Sequence, residues 1–209
     1  MRAVKPDCLF SFMGMRSHPV RGPILALRHH RSIVEDTSGF NFCDRSDPVA
    51  YDRQKARYLS TMTRSKFVLC PRGAGTASIR LFETLAAGRV PVIVSDAWVP
   101  PEGPPWDKFC LRISEREAKS IPARLEAAEV HYPEMAALSH QVHELWFSKP
   151  VIFHRMISKC AVLLPAAGRV KRPRGGLRYA ELELREAFHK GRNSLRRLLR
   201  AAGVGVGLP

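Results

Sequence analysis

Apolar and polar positions fall in blocks along this chain, and the blocks predict strands and helices in alternation. Residues 8–13 (CLFSFM) form a nearly continuous apolar run closed by Gly14, the pattern of a strand buried on both faces. Pro23 opens a short helix to about His30, and residues 32–36 read as a second strand. Residues 37–48 read as a loop with Phe40 and Phe42 turned back onto the core, and its end, Ser46-Asp47-Pro48, suits a helix start. Residues 51–64 then place Tyr51, Tyr58, Leu59 and Met62 near one face of a helix.

The stretch 65–96 organises the rest. Residues 67–70 (FVLC) predict a buried strand, and residues 71–76 (PRGAGT) a turn. Thr76 is placed to cap a helix in which Ile79, Leu81, Phe82, Leu85 and Ala86 recur at helical spacing, and Gly88 ends it. Residues 90–94 (VPVIV) return as a strand, with Pro91 near its start, where proline is tolerated. A strand–helix–strand unit of about thirty residues is a βαβ crossover, so its strands should be parallel. Residues 97–106 hold four prolines and a glycine around Trp98 and Trp106, which forbids helix or central strand. That loop is open to two readings, a wall for a ligand or a segment pinned by its tryptophans. Residues 109–113 predict a further strand, and Ser114 with Glu117 a capping box. Helices follow from Ser120 toward Glu129, from Tyr132 to about Phe147, and over 151–164, with Trp146, Phe147, Ile152, Phe153 and Met156 expected in the core.

The fold class is therefore α/β: a Rossmann-like parallel sheet flanked by helices over residues 1–165, followed by an appendage over 166–209. In that appendage residues 168–176 read as a basic linker and residues 179–202 as a basic amphipathic C-terminal helix.

Charge changes the picture. The net charge is +15, and residues 169–209 contribute eleven Lys or Arg against three Glu. Such a field attracts anions: nucleotide sugars, acidic glycans, anionic membrane surfaces or nucleic acid. A basic amphipathic helix over 169–209 fits an anionic membrane surface or a partner protein. Nucleic acid is disfavoured, because the basic stretch carries no interleaved aromatic platform. The cysteines number five and show no CxxC pairing, so they read as reduced thiols of a cytoplasmic protein. No signal peptide is evident, no apolar run is long enough to span a membrane, and no zinc pattern is present, so no metal is expected.

The candidate chemistry sits in the loop of the central unit. Gly73 and Gly75 let backbone approach a ligand, and the following helix points unpaired N–H groups at the same space. Arg72 adds bidentate donors, and Thr76 and Ser78 add hydroxyls. A phosphate or diphosphate suits this loop. Glu83 lies on the order of 10 Å further along the helix, about the distance from a diphosphate to a ribose diol. A ligand-free turn, with Glu83 paired to Arg80 at i,i+3, is the competing reading. A second candidate phosphate loop follows the first strand at Gly14, Arg16 and Arg21, and it competes with a solvated basic loop. Asp96, at a strand end, could meet sugar hydroxyls or cap its own turn.

These residues carry a resemblance. LCPRGAGTASIRLFETLAAGRVPVIVSDAWVPP, with the CPRG turn, R-L-F-E, A-A-G, P-V-I-V-S-D and Trp-x-x-Pro in order, resembles the signature of the exostosin-like glycosyltransferases. Weaker similarity runs over residues 8–162. The resemblance implies a GT-B fold of two facing Rossmann-like domains, of which this is the C-terminal, donor-binding half. It implies that Arg72 and Arg80 hold the diphosphate of a UDP-linked sugar and that Glu83 holds the ribose. Gly75 stands where related retaining enzymes carry a second glutamate, which implies an inverting enzyme. It implies no cofactor beyond the nucleotide sugar as substrate, and a glycan acceptor. An acceptor-binding half is expected on a longer gene product or a partner chain. The other readings are a non-catalytic nucleotide-sugar-binding remnant or subunit and a basic membrane-surface or nucleic-acid-binding protein. No general base can be named from the sequence.

Overall fold

A computed structural model describes residues 4–166 apart from 43. Packing divides the chain into Met1–Met156 and Ile157–Pro209. The first unit holds the parallel sheet and the helices that flank it, and the basic helix expected over 179–202 lies outside the described residues.

The elements run β1 (Cys8–Gly14), α1 (Arg21–Leu25), β2 (Ser32–Asp36), α2 (Pro48–Thr63), β3 (Ser65–Pro71), α3 (Ile79–Ala86), β4 (Val90–Val94), α4 (Trp106–Phe109), β5 (Leu111–Arg112), α5 (Ile121–Ala128), α6 (Tyr132–Val142) and α7 (Lys149–Ala166). The five strands are all parallel, in the order β2-β1-β3-β4-β5. The expected α/β, Rossmann-like architecture is what forms. Alternation along the strands splits the core into two layers. Phe67 and Leu69 of β3 and Val90, Val92 and Val94 of β4 face α1, α5 and Met135 of α6. Val68, Cys70 and Ile93 face Met62 of α2, Leu81 and Leu85 of α3, and the Trp98–Trp106–Phe109 group. Both tryptophans are buried, edge to face at 5.2 Å, and Trp106 Nε1 donates to Pro101 O, so the proline-rich loop is pinned by them.

Helix α2 starts where Asp47 and Pro48 predict. The Asp47 carboxylate accepts from Ala50 N–H at 2.9 Å. Other ends differ from expectation, each for a local reason. Helix α1 stops at Leu25 rather than near His30, because the Arg28 guanidinium donates to the carbonyls of Leu25 and Leu27 and caps the end. Helix α3 starts after Ser78 rather than Thr76, since residues 74–77 stay in the bend that follows the Gly73 N–H to Gly75 O contact, and the Ser78 side chain makes no capping hydrogen bond. The strand expected over 109–113 shrinks to Leu111–Arg112, because Trp106 and Phe109 share the buried side of a helical turn closed by Cys110 N–H to Trp106 O. The Ser114/Glu117 capping box does not form; Ser114 Oγ turns to Asp96 instead.

The long helix from Tyr132 breaks into a wide turn at His143–Phe147. Trp146 is seated there against Gly103, whose φ of +112° favours glycine, and Arg155 stacks on its ring at 3.6 Å. Phe40 and Phe42 pack edge to face on each other rather than into the core. Ile152, Phe153 and Met156 of α7, expected in the core, are exposed. Their spacing records an apolar stripe, but no described element covers it. Cys8, Cys70 and Cys110 are buried free thiols and Cys160 is exposed. Burial pushes the Cys70 thiol up to about 11 and the Cys110 thiol up to about 12. Among the described residues no helix is long and apolar enough to cross a membrane.

Candidate functional site

The strand order reverses direction at β1, which has β2 on one side and β3 on the other. Loops leaving the C-terminal ends of β1 and β3 therefore diverge and leave a crevice between them, the usual place for a ligand in an open parallel sheet. A cleft of about 570 Å³ opens there. Gly14, Arg21, Gly73, Gly75, Ser78, Arg80 and Glu83 line it, so residues from both predicted loops meet in one cavity. Arg16, Arg72, Thr76 and Asp96 do not line it.

Arg80 stands in the first turn of α3, aimed back at the strand ends. Its Nη2 donates to Met13 O at 2.6 Å and its Nη1 to Leu69 O at 3.5 Å, which ties it to β1 and β3. The guanidinium lies 4.7 Å over the Phe12 ring. Arg21 ties the two loops together. Its Nε donates to Arg72 O at 2.8 Å, its Nη2 to Pro71 O, and its Nη1 to Met15 O. A β-carbon at Gly73 would stand 3.2 Å from Arg21 Nη2 and Ser17 Oγ, so the absence of a side chain lets the loops close on each other. Burial, with the Arg80 charge beside it, holds the Arg21 guanidinium below its usual range. Two cations pressed together in this way favour an anion between them.

Glu83 and Arg80 do not pair directly. They are bridged by Tyr58 of α2, whose hydroxyl donates to Glu83 Oε2 at 2.6 Å and accepts from Arg80 Nε at 3.2 Å. Tyr58, Tyr51 and Lys55 of α2, with Phe42, form the opposite wall. The sequence placed Tyr51 and Tyr58 near one face of this helix and gave them no part in the site. The readable cue was their polar tips, two helical turns apart, since a half-buried tyrosine hydroxyl needs a partner.

Thr76 is exposed, and the other three predicted residues are engaged elsewhere. The Arg72 side chain turns toward β5, with Nη1 3.7 Å from Glu115 Oε1, and its Nε is buried with no hydrogen-bond partner among the described residues. The Asp96 carboxylate accepts from Glu115 N–H at 3.1 Å and Ser114 Oγ at 3.3 Å, and Asp96 N–H donates to Glu115 Oε1. Asp96 therefore caps the turn after β5. Arg16 Nε donates to Asp36 Oδ2 at 2.7 Å, and this bond holds the Asp36 carboxyl down at about 2. Among the described residues no cluster of His, Cys, Asp and Glu is arranged to hold a metal ion.

Comparison with known proteins bears on this geometry. A family model described as the exostosin GT47 domain matches residues 1–128. The chain is 41% identical over 85 residues to an exostosin-1 homolog of Caenorhabditis elegans, covering 40% of this chain and 22% of that protein. It is 31% identical over 101 residues to a probable glucuronoxylan glucuronosyltransferase of Arabidopsis thaliana, covering 47% and 21%. It is 33% identical over 108 residues to exostosin-1 of Drosophila melanogaster, covering 51% and 14%. The chain thus spans between 14% and 22% of the length of these relatives.

Proposed function

This chain belongs to the exostosin GT47 family, and from that membership we propose that it forms the donor-binding half of an inverting glycosyltransferase of GT-B architecture. The donor is a UDP-linked sugar and the acceptor a glycan. The observation that carries this reading is the cleft between the β1 and β3 loops, where Arg21, Arg80 and Glu83 converge. A diphosphate fits the cationic end, against Arg21, Arg80 and the Ser78 end of α3. Glu83 accepts from the ribose hydroxyls. Phe42 and Tyr51 supply an aromatic wall.

In an inverting transfer the acceptor hydroxyl attacks the anomeric carbon as its bond to the diphosphate breaks. Negative charge then grows on the leaving diphosphate, and fixed guanidinium groups offset it where they already stand. Arg72 joins them in this reading only by leaving Glu115. The base that takes the acceptor's proton belongs to the acceptor-binding half, supplied by a longer chain or a partner. One relative is a probable glucuronoxylan glucuronosyltransferase, so UDP-glucuronic acid belongs among the donors tried.

The test is calorimetry of the chain against UDP, GDP and a panel of UDP-sugars, with Arg80→Ala and Glu83→Ala alongside. Micromolar binding of one nucleotide, weakened at least about tenfold in each variant, is the expected result. Binding of none of them by the wild-type chain, or equal binding by both variants, would remove the donor site.

A further inference from the structure

Tyr58 joins the two ends of the cleft, and the direction of its hydrogen bonds is fixed by chemistry. A carboxylate only accepts and a guanidinium only donates. The single phenolic proton therefore goes to Glu83 Oε2, and a lone pair goes to Arg80 Nε. The two partners depend on Tyr58 unequally. Arg80 is also held by Met13 O, Leu69 O and the Phe12 ring. Glu83 is exposed, and Tyr58 is its hydrogen-bond partner among the described residues.

We infer that Tyr58 is a positioning residue that fixes the Glu83 carboxylate to read a ribose diol, so that the cleft discriminates ribonucleotides from deoxyribonucleotides. This rests on the donor-site reading above. A free glutamate at the edge of a cleft samples several rotamers and loses that freedom on binding. One hydrogen bond to Oε2 removes most of it in advance and leaves Oε1 open to accept. Burial, with the neighbouring Glu83 charge, raises the phenol far above its ordinary range, so it remains a proton donor at every pH the protein would meet. Tyr58 is thus suited to hold Glu83 and unsuited to take a proton from an acceptor.

The test compares UDP, 2′-deoxy-UDP and inorganic pyrophosphate by calorimetry. The proteins are the full wild-type chain, Tyr58→Phe, Glu83→Gln and the double variant, each checked for folding by thermal melt. Phenylalanine keeps the ring and removes only the hydroxyl. The wild-type chain should prefer UDP over its 2′-deoxy analogue by about tenfold. Tyr58→Phe should weaken UDP by about tenfold, erase that preference, and leave pyrophosphate within about twofold. On the Glu83→Gln background the same substitution should add less than about twofold, because its target is gone. An unchanged preference in Tyr58→Phe, beside a lost one in Glu83→Gln, overturns the role of Tyr58 alone. Equal weakening of UDP and pyrophosphate also overturns it, since the hydroxyl would then act through Arg80. A wild-type chain that binds no UDP removes the donor site itself, and the positioning role with it.

Discussion

A β-carbon at Gly14 would stand 2.9 Å from Phe12 Cζ and 3.2 Å from Arg80 Nη2, whereas one at Gly75 would meet nothing within 4 Å. The two glycines line the same cleft for different reasons. Gly14 is packed under the arginine that crosses it, so Gly14→Ala must push Phe12 or Arg80 aside. It should cost about 1–3 kcal/mol of stability, in the range of overpacked cores, and weaken nucleotide binding as well. Gly75→Ala should leave stability within about 0.5 kcal/mol. If a nucleotide fills the space beside it, affinity should still fall. Paired urea melts and titrations separate the cases, and a Gly75→Ala protein with wild-type affinity would place the ligand elsewhere in the cleft. At this scale the sequence was a partial guide. The spacing of Arg80 and Glu83 put both on one helix, and both line the cleft. Arg72 and Arg80 looked alike in one dimension because charge and position in the motif say nothing of direction. Arg72 continues β3 beyond the Pro71–Val94 pair, and its side chain leaves toward the β5 side.

One carboxylate fastens several elements. Glu129, in the turn after α5, accepts from Arg31 Nη1 and Nη2 at 2.7 and 2.9 Å and from Lys66 Nζ at 2.6 Å. It therefore clips the start of β2 and the start of β3 to the helical layer, at the sheet end opposite the cleft. The hydrogen bonds from Arg31, then those from Lys66, hold its carboxyl down at about 2, against 4.5 for a free glutamate. A carboxylate depressed in the folded state binds its proton more readily when unfolded. Its stabilisation is therefore complete above about pH 4.5 and is lost as pH falls toward 2. Glu129→Gln should lower the melting temperature at neutral pH, and the gap to wild type should close across that window. A gap that stays constant with pH would mean the loss is one of shape rather than charge. Elements as such were legible: strand, loop, helix and strand follow from runs, glycines and helical spacing. Their ends were not, because ends are decided by partners distant in sequence or by single side chains, such as Arg28 capping α1 and Asp96 capping the turn that Ser114 was expected to cap. Helix α7 shows the converse. An apolar stripe such as Ile152, Phe153 and Met156 announces that a face is apolar, and carries no information about what covers it.

On the donor-site reading proposed above, two kinds of positive charge across the whole molecule act on an anionic ligand, and they act at different moments. The net charge of +15 makes a long-range field, to which residues 169–209 contribute +8. Arg21 and Arg80 act only at contact, inside the cleft. A field steers encounter, so it should enter the association rate, whereas desolvated contacts should enter the dissociation rate. Salt separates the two, because raising it from about 0.01 to about 1 M contracts the Debye length from about 30 to about 3 Å. Stopped-flow measurement with a fluorescent uridine nucleotide should show association slowing by at least about tenfold over that range. Dissociation should change by less than about threefold, because contacts within the cleft lie inside even the shorter screening length. Arg80→Ala should show the opposite signature, with dissociation faster by about tenfold or more and association near that of wild type. If salt instead accelerates dissociation while leaving association alone, the nucleotide is held by exposed charges rather than by the cleft, and the basic surface rather than the β1–β3 crevice becomes the place to look for its site.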